Sequence, residues 1–174
     1  VDEFSGKLPV VYERFSENMG GHDLVGHWNR CISLTGKEEY IWLFSDDDII
    51  GSRCVELFYE ALKEHPGFDL YHYNVKVIDK DDSVINDKRY SKSLFPDILS
   101  ASEYARKRMH NDINSFVVEY IFTRKAYGKN QGFVNFDLAW GSDDASWITF
   151  ASDTGIGTIQ GDYVYWRHSE SNIS

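Results

Sequence analysis

Four apolar residues and one serine precede three aspartates in the first third of the chain. Residues 41–44 are Ile-Trp-Leu-Phe, with no polar residue among them. Such a run is typical of a strand that helices cover on both faces of a parallel sheet. After Ser45 come Asp46, Asp47 and Asp48, the acidic triplet. Open α/β folds bind ligands at the carboxyl edge of their strands. We therefore predict an α/β fold with a mostly parallel central sheet, helices on both faces and a ligand site at the triplet.

Neighbouring carboxylates repel one another, so the acidic triplet needs either a cation or full solvation. A set of oxygen ligands favours a hard divalent cation, Mg²⁺ or Mn²⁺, which keeps some waters and accepts phosphate oxygens. Charge runs are also common in solvated turns. Because this run follows a strongly hydrophobic segment, we interpret Asp46, Asp47 and Asp48 as metal ligands and keep the solvated turn as the alternative.

The periodicity of the apolar residues indicates several further elements. Helical spacing predicts amphipathic helices over residues 24–32 and 54–62. Alternation of apolar and polar residues predicts strands over residues 69–78, 115–123 and 158–166. Asp23 and Ser100 stand directly before helical segments and are suited to cap them.

Composition limits the class of protein. The 174 residues are 42% hydrophobic, enough to build a core, and we read residues 1–174 as a single domain. The chain has 28 acidic and 18 basic residues, a formal net charge of −10. Such a charge repels a phosphate backbone, so we expect no nucleic-acid partner. The apolar runs are far shorter than the roughly 20 residues of a transmembrane helix, so we expect no membrane span.

The two cysteines fit a reducing compartment. Cys31 and Cys54 fall at apolar positions of predicted helices. They are therefore expected to be buried thiols and not a disulfide. We expect a cytoplasmic protein, and a peripheral position at the inner face of the membrane stays open.

A second acidic pair begins a helix near the end of the chain. Gly141 and Ser142 precede Asp143 and Asp144, and apolar residues follow at helical spacing. Carboxylates in a first helical turn are stabilised by the helix dipole, so the pair could serve only to start the helix. The dipole would also lower the pKa of such a carboxyl group, which suits a general base that must stay ionised.

Two stretches offer donors for phosphate oxygens. Arg167 and His168 directly follow the last predicted strand, where they could bind phosphate or simply lie at the surface. Asn18 opens a glycine loop, Asn18-Met19-Gly20-Gly21, which is either a phosphate cradle or an ordinary turn.

In this order, the motifs resemble the family 2 glycosyltransferases of the GT-A fold, and the resemblance covers nearly the whole chain. The matching segments are Asn18-Met19-Gly20, Trp28-Asn29-Arg30 within a predicted helix, residues 39–49 with the acidic triplet, residues 141–147 with the second acidic pair, Trp166-Arg167-His168, and residues 171–174. The resemblance implies a nucleotide-diphospho-sugar donor, a glycan or lipid-linked acceptor, and a divalent cation as cofactor. It also implies an inverting transfer of the sugar to an acceptor hydroxyl, in the assembly of a polysaccharide or another glycan.

The resemblance also suggests a role for each motif. The triplet takes the place of the metal-binding Asp-x-Asp motif, with Asp47 as the favoured ligand; Ser45 stands where the commonest family pattern has its first Asp. Asp143 takes the Glu position of the Glu-Asp motif, and Asp144 the position of the catalytic base. Arg167, His168 and Asn18 are expected to contact the diphosphate.

Two features leave other functions open. The family begins with a Pro-Thr-Tyr-Asn strand and a second strand ending in Asp-Asp, and this chain has neither. We therefore expect an N-terminally incomplete domain. The alternatives are a non-catalytic binding module with a decayed transferase fold, and a metal-dependent phosphotransfer domain.

Overall fold

The structure, a computed structural model, describes residues 6–169. The helices are α1 (Leu24–Ser33), α2 (Cys54–Glu64), α3 (Ala101–Met109), α4 (Arg124–Lys129) and α5 (Ser142–Phe150). The strands are β1 (Tyr40–Trp42), β2 (Ile49–Ile50), β3 (Leu70–Ile78), β4 (Ile98–Leu99), β5 (Tyr120–Thr123) and β6 (Ile156–Arg167). A 3-10 helix covers Asp137–Ala139, just before α5.

Local capping explains where two of the helices begin. The carboxylate of Asp23 accepts a hydrogen bond from the backbone N–H of Gly26 at 2.8 Å, at the start of α1. The hydroxyl of Ser100 accepts one from the N–H of Glu103 at 3.2 Å, at the start of α3. Both caps satisfy amides that have no partner within their own helix. The capping roles predicted for Asp23 and Ser100 are thus confirmed.

The six strands form one sheet of mixed direction. Its order is β1-β5-β3-β6-β2, and β4 also pairs with β6. Only the β3–β6 pairing is parallel among the strands of residues 6–169; the other four pairings are antiparallel. The prediction of a mostly parallel sheet was therefore wrong. The prediction of an α/β fold with helices on both faces is confirmed, since separate cores lie on the two sides of the sheet.

The apolar run at residues 41–44 explains that error. Ile41 packs into the core formed with α1, α3 and α5, whereas Trp42 and Phe44 pack against the core formed with α2. The segment is covered on both faces, as its composition indicated. Yet β1 is only three residues long and runs antiparallel to β5. A continuous apolar run reports burial of both faces and carries no information about the direction of the neighbouring strand.

A bulge in β6 positions the end of that strand. Tyr73 of β3 pairs with Ile159, but Val75 pairs with Val164, so residues 160–163 of β6 lie outside the regular register. Gly161 within this bulge has a φ of 100°, a conformation that favours glycine. Beyond the bulge, β6 pairs with β2 as well as β3. The end of β6 therefore lies beside the acidic triplet, which directly precedes β2.

Two other expectations concern cysteines and membranes. Cys54 is buried, Cys31 is partly buried, and both are free thiols. Within the part of the chain that the structure describes, no helix is long and apolar enough to cross a bilayer.

Candidate active site

The acidic triplet lies in the loop between β1 and β2. Asp46 and Asp47 are exposed, whereas Asp48 is partly buried. Burial raises the pKa of the Asp48 carboxyl, and the negative charge of Asp47 acts in the same direction. The backbone N–H of Arg167 opposes this by donating to Asp48 Oδ1 at 2.7 Å. The triplet thus divides into two exposed carboxylates and one that is bound by the end of β6.

Arg167 holds the triplet loop against a neighbouring turn. Its Nε donates to the carbonyl oxygen of Asp47 at 2.7 Å. Its Nη1 donates to the carbonyl oxygen of Asp79, and its Nη2 to a carboxylate oxygen of Asp82. The Arg167 side chain is 18% exposed. The structure therefore brings Arg167 together with the triplet, at positions more than a hundred residues apart in the sequence.

His168 and Asn18 make different contacts. The Nδ1 atom of His168 lies 3.2 Å from the hydroxyl of Tyr90, beside the triplet edge. Asn18 closes a local turn, in which its Oδ1 accepts from the N–H of Gly20 at 3.0 Å. Gly20 and Gly21 line a cleft of about 380 Å³ together with residues 135–140, the loop that leads into α5. Among the described residues, Asn18 forms no hydrogen bond with the triplet.

Asp144 in the second acidic pair is clamped by α3. The guanidinium of Arg108 donates from Nε to Asp144 Oδ1 at 2.7 Å and from Nη2 to Oδ2 at 2.9 Å. The hydroxyl of Tyr104 donates to Oδ1 at 2.6 Å. Tyr104 also contacts the hydroxyl of Ser115 at 2.8 Å, and Ser115 contacts that of Tyr120 at 2.9 Å. The carboxylate of Asp144 is therefore oriented by a bidentate ion pair that a buried hydroxyl network supports.

Asp143 lies in a different environment from its neighbour. Burial raises the pKa of the Asp143 carboxyl, and the charge of Asp144 raises it further. From the helix dipole we expected a lowered pKa for a carboxyl group at this position. For Asp143 that expectation was wrong, because desolvation of the charged form outweighs the backbone amides at the start of α5.

Glu119 is a buried carboxyl group that sequence reasoning missed. Its side chain is fully buried, with Oε1 accepting from the N–H of Phe116 at 2.7 Å and Oε2 without a hydrogen-bond partner. Burial raises its pKa well above the ordinary value, and the charge of Asp143 adds to that effect. In the predicted strand over residues 115–123, Glu119 lies on the face opposite Phe116, Val118 and Tyr120, and no sequence signal indicated that its carboxyl group is buried.

Residues 116–119 connect the two acidic sites. The indole N–H of Trp42, at the end of β1, donates to the carbonyl oxygen of Val118 at 2.6 Å. The ring of Phe116 stacks on that of Trp166, near the end of β6, with centroids 4.0 Å apart. Glu119 in turn interacts electrostatically with Asp143. Residues close in sequence to the triplet and to Arg167, namely Trp42 and Trp166, therefore border the same segment whose Glu119 is affected by the charge of Asp143.

The donors at the triplet suit a hard cation. No group of three or more His, Cys, Asp or Glu side chains converges on a metal position within residues 6–169. Mg²⁺, however, is usually held by one or two carboxylates together with the phosphates of a substrate. The exposed carboxylates of Asp46 and Asp47 fit that requirement, whereas Asp48 is engaged by the backbone of Arg167.

The fold is shared with a solved structure. The chain superposes on the crystal structure of S. aureus TarS 1-349, a staphylococcal glycosyltransferase, with a TM-score of 0.63. The chain has a glycosyltransferase-like fold. Sequence identity in the superposition is 12%, and the match covers 95% of this chain and 46% of TarS 1-349, so the chain spans less than half of that structure. No family model and no curated protein matches the sequence.

Proposed function

We propose that this chain is the donor- and acceptor-binding part of an inverting glycosyltransferase. It would move a sugar from a nucleotide-diphosphate donor to an acceptor hydroxyl, in the assembly of a polysaccharide or another glycan. The observation that carries the proposal is that one segment contacts the surroundings of both acidic sites. Val118 and Phe116 contact Trp42 and Trp166, which flank the triplet loop and Arg167 in the sequence. Ser115 is joined to Asp144 through the hydroxyl of Tyr104. The glycosyltransferase-like fold supports this function over others with similar side chains.

We propose that the diphosphate of the donor binds at the acidic triplet. Asp46 and Asp47 would hold Mg²⁺ or Mn²⁺, which when bound supplies positive charge to the leaving diphosphate. Arg167 is assigned to hold the loop, because its side chain donates to oxygens of Asp47, Asp79 and Asp82. His168 lies next to it and is proposed as a direct donor to the diphosphate. Asn18 is proposed to contact the donor from the glycine turn before α1.

The second acidic pair is assigned to the acceptor. Asp144 is the proposed base: it takes the proton of the acceptor hydroxyl while that oxygen attacks the anomeric carbon from the face opposite the diphosphate. The bond between that carbon and the diphosphate oxygen breaks, and the configuration inverts. Arg108 and Tyr104 orient the Asp144 carboxylate. Asp143 is the neighbouring carboxyl group, and we propose that it shapes the acceptor site.

The first test is binding of a nucleoside diphosphate. We expect calorimetry with uridine and guanosine diphosphate to show binding that requires Mn²⁺ and that Asp47→Asn abolishes. Asp81→Asn is the matched control, because Asp81 is exposed in a nearby turn and pairs with Lys80. Equal binding by the Asp47→Asn and Asp81→Asn variants would contradict the assignment of the diphosphate to the triplet.

A second test separates catalysis from binding alone. The clamp on Asp144 favours one alternative, a non-catalytic module, because three hydrogen bonds already occupy its carboxylate oxygens. If the chain is a transferase, sugar transfer by the whole protein is lost in Asp144→Asn while nucleotide binding is kept. Nucleotide binding without transfer in the unmutated protein would support the binding module.

A further inference from the structure

A second cavity lies between β3 and the loop that precedes β4. Its volume is about 240 Å³. It is lined by His72, Asn74, Val75 and Lys76 of β3, by residues 90–95, and by Asn114 and Tyr163. This volume is far larger than the ~30 Å³ share of one water molecule, so a single buried water would not fill it. None of the side chains assigned to donor or base lines it.

The lining of this cavity is cationic, in a chain whose formal net charge is −10. Lys76 and Lys92 line it, and no Asp or Glu does. The ammonium group of Lys76 lies 4.0 Å from the ring centroid of Tyr163, which holds it at the cavity wall. Within residues 6–169, neither lysine forms an ion pair with a carboxylate. The two positive charges are therefore available to an anion.

His72, which lines the same cavity, also carries a buried polar atom without a partner. Its side chain is 1% exposed and stacks on Phe95, and its Nδ1 has no hydrogen-bond partner. Thr158 pairs with His72 in the parallel register, and its Oγ1 is also buried without a partner. Burial lowers the pKa of His72 well below the ordinary value, so the ring is neutral and one of its nitrogens can donate. Buried polar atoms without hydrogen-bond partners are rare in folded proteins, and a bound ligand or an ordered water commonly supplies the missing partner.

The cavity adjoins the end of β6, where Arg167 and His168 lie beside the triplet. Tyr90 lines it, and the hydroxyl of the same residue lies 3.2 Å from Nδ1 of His168. Lys76 and Tyr165 are partners in the β3–β6 register, two residues before Ile78 and Arg167. A group bound in the cavity would therefore lie one side chain away from the residues that border the triplet.

We propose that this cavity binds an oxyanion, a phosphate or a carboxylate, carried by the acceptor substrate. The assignment to the acceptor rests on the proposed function, because the donor's diphosphate is already assigned to the triplet. Lys76 and Lys92 supply the charge, and the buried ring of His72 is the proposed hydrogen-bond donor in the lining. The acceptor is then an anionic glycan or a phosphorylated one, and not a neutral sugar chain.

Inorganic phosphate, and acetate in parallel, are the probes that test the site. Histidine labelled at ring Cε1 gives six signals in a carbon-edited NMR spectrum, one for each histidine, and His72→Phe assigns one of them. Titration in the presence of a metal chelator keeps phosphate from binding through a cation at the triplet. We expect saturable shifts of the His72 signal, and binding at least about tenfold weaker in the double variant Lys76→Met/Lys92→Met. Lys88→Met is the matched control, since Lys88 is exposed and lies outside the lining.

Each outcome decides the proposal. Shifts of the His72 signal that the double variant weakens and Lys88→Met does not would support it, and the stronger of the two probes identifies phosphate or carboxylate. An unshifted His72 signal, or equal affinity in all variants, overturns it. Mn²⁺-dependent binding of nucleoside diphosphate is measured on the same variants without the chelator and is expected to be unchanged in the double variant. If the unmutated protein does not bind nucleoside diphosphate with Mn²⁺, the proposed function is overturned, whereas the assignment of the oxyanion site is unaffected.

Discussion

Replacing Asp144 by asparagine is expected to destabilise the fold as well as to remove the proposed base. The carboxylate accepts three hydrogen bonds, two from Arg108 and one from Tyr104. Asparagine keeps one oxygen and places an amide N–H₂ where the second oxygen was, so one donor of Arg108 meets another donor. The guanidinium also loses the carboxylate to which it bonds directly at the interface of α3 and α5.

The size of the effect follows from burial. Removing one partner of a fully buried ion pair costs about 3–5 kcal/mol, and an exposed pair contributes about 0–1 kcal/mol. The side chains of Arg108 and Asp144 are 25% and 24% exposed, which places the pair nearer the buried limit. We therefore expect Asp144→Asn to lower the free energy of unfolding by about 2–3 kcal/mol. For a domain of this size, that corresponds to a fall of roughly 4–12 °C in Tm.

Urea unfolding followed by circular dichroism measures this loss, and Asp143→Asn is the control. The pKa of Asp143 is raised in the fold, so the stability contributed by its protonated form is lost as the pH rises through the folded-state pKa. Asp143→Asn should therefore be neutral or stabilising at pH 7, with no advantage below the ordinary Asp pKa of about 4. A cost below about 1 kcal/mol for Asp144→Asn, or an equal cost for both variants, would refute the reasoning.

Three further predictions concern other parts of the molecule. Arg167→Lys should weaken Mn²⁺-dependent nucleotide binding about tenfold by calorimetry, because an ammonium group cannot bond both neighbouring loops as the guanidinium fork does; unchanged affinity would contradict this. Between pH 6.5 and 5 the stability of the unmutated protein in urea titrations should fall relative to that of His72→Phe, because unfolded His72 takes up a proton that the buried ring excludes. Gly157→Ala should cost about 1–3 kcal/mol in thermal unfolding, since the new Cβ would lie 2.7 Å from the Phe68 ring. Gly128→Ala, which meets nothing within 4 Å, should cost nothing.

Local patterns in the sequence predicted the elements well. The expected strands over residues 69–78 and 158–166 correspond to β3 (Leu70–Ile78) and β6 (Ile156–Arg167). Both amphipathic helices lie where the spacing of apolar residues placed them. These features depend on which faces are buried and on nearby capping groups, and a short stretch of sequence contains that information.

Contacts between distant elements could not be predicted in the same way. Arg108 belongs to the run Arg106-Lys107-Arg108, and such a run of charges is typical of a solvated helix face, yet Arg108 pairs with Asp144, 36 residues later. The expected strand over residues 115–123 is shorter in the structure, because the Glu119 side chain bonds the backbone of Phe116 and only Tyr120–Thr123 form a strand. The relative direction of the strands was predicted wrongly for the same reason. Which strands pair, and in which direction, depends on the whole chain, and the pattern of apolar residues contains no information about it.

The place of β6 in the sheet has a consequence for biosynthesis. β6 pairs with β2, β3 and β4, all of which precede it in the chain. Asn74 and Gln160, which face each other across β3 and β6, are 86 residues apart. While the ribosome adds those residues, β3 lacks its parallel neighbour and one edge of its backbone is open to other chains. A polypeptide stopped before Ile156 should therefore aggregate, and a nascent chain at that stage is a natural client for chaperones.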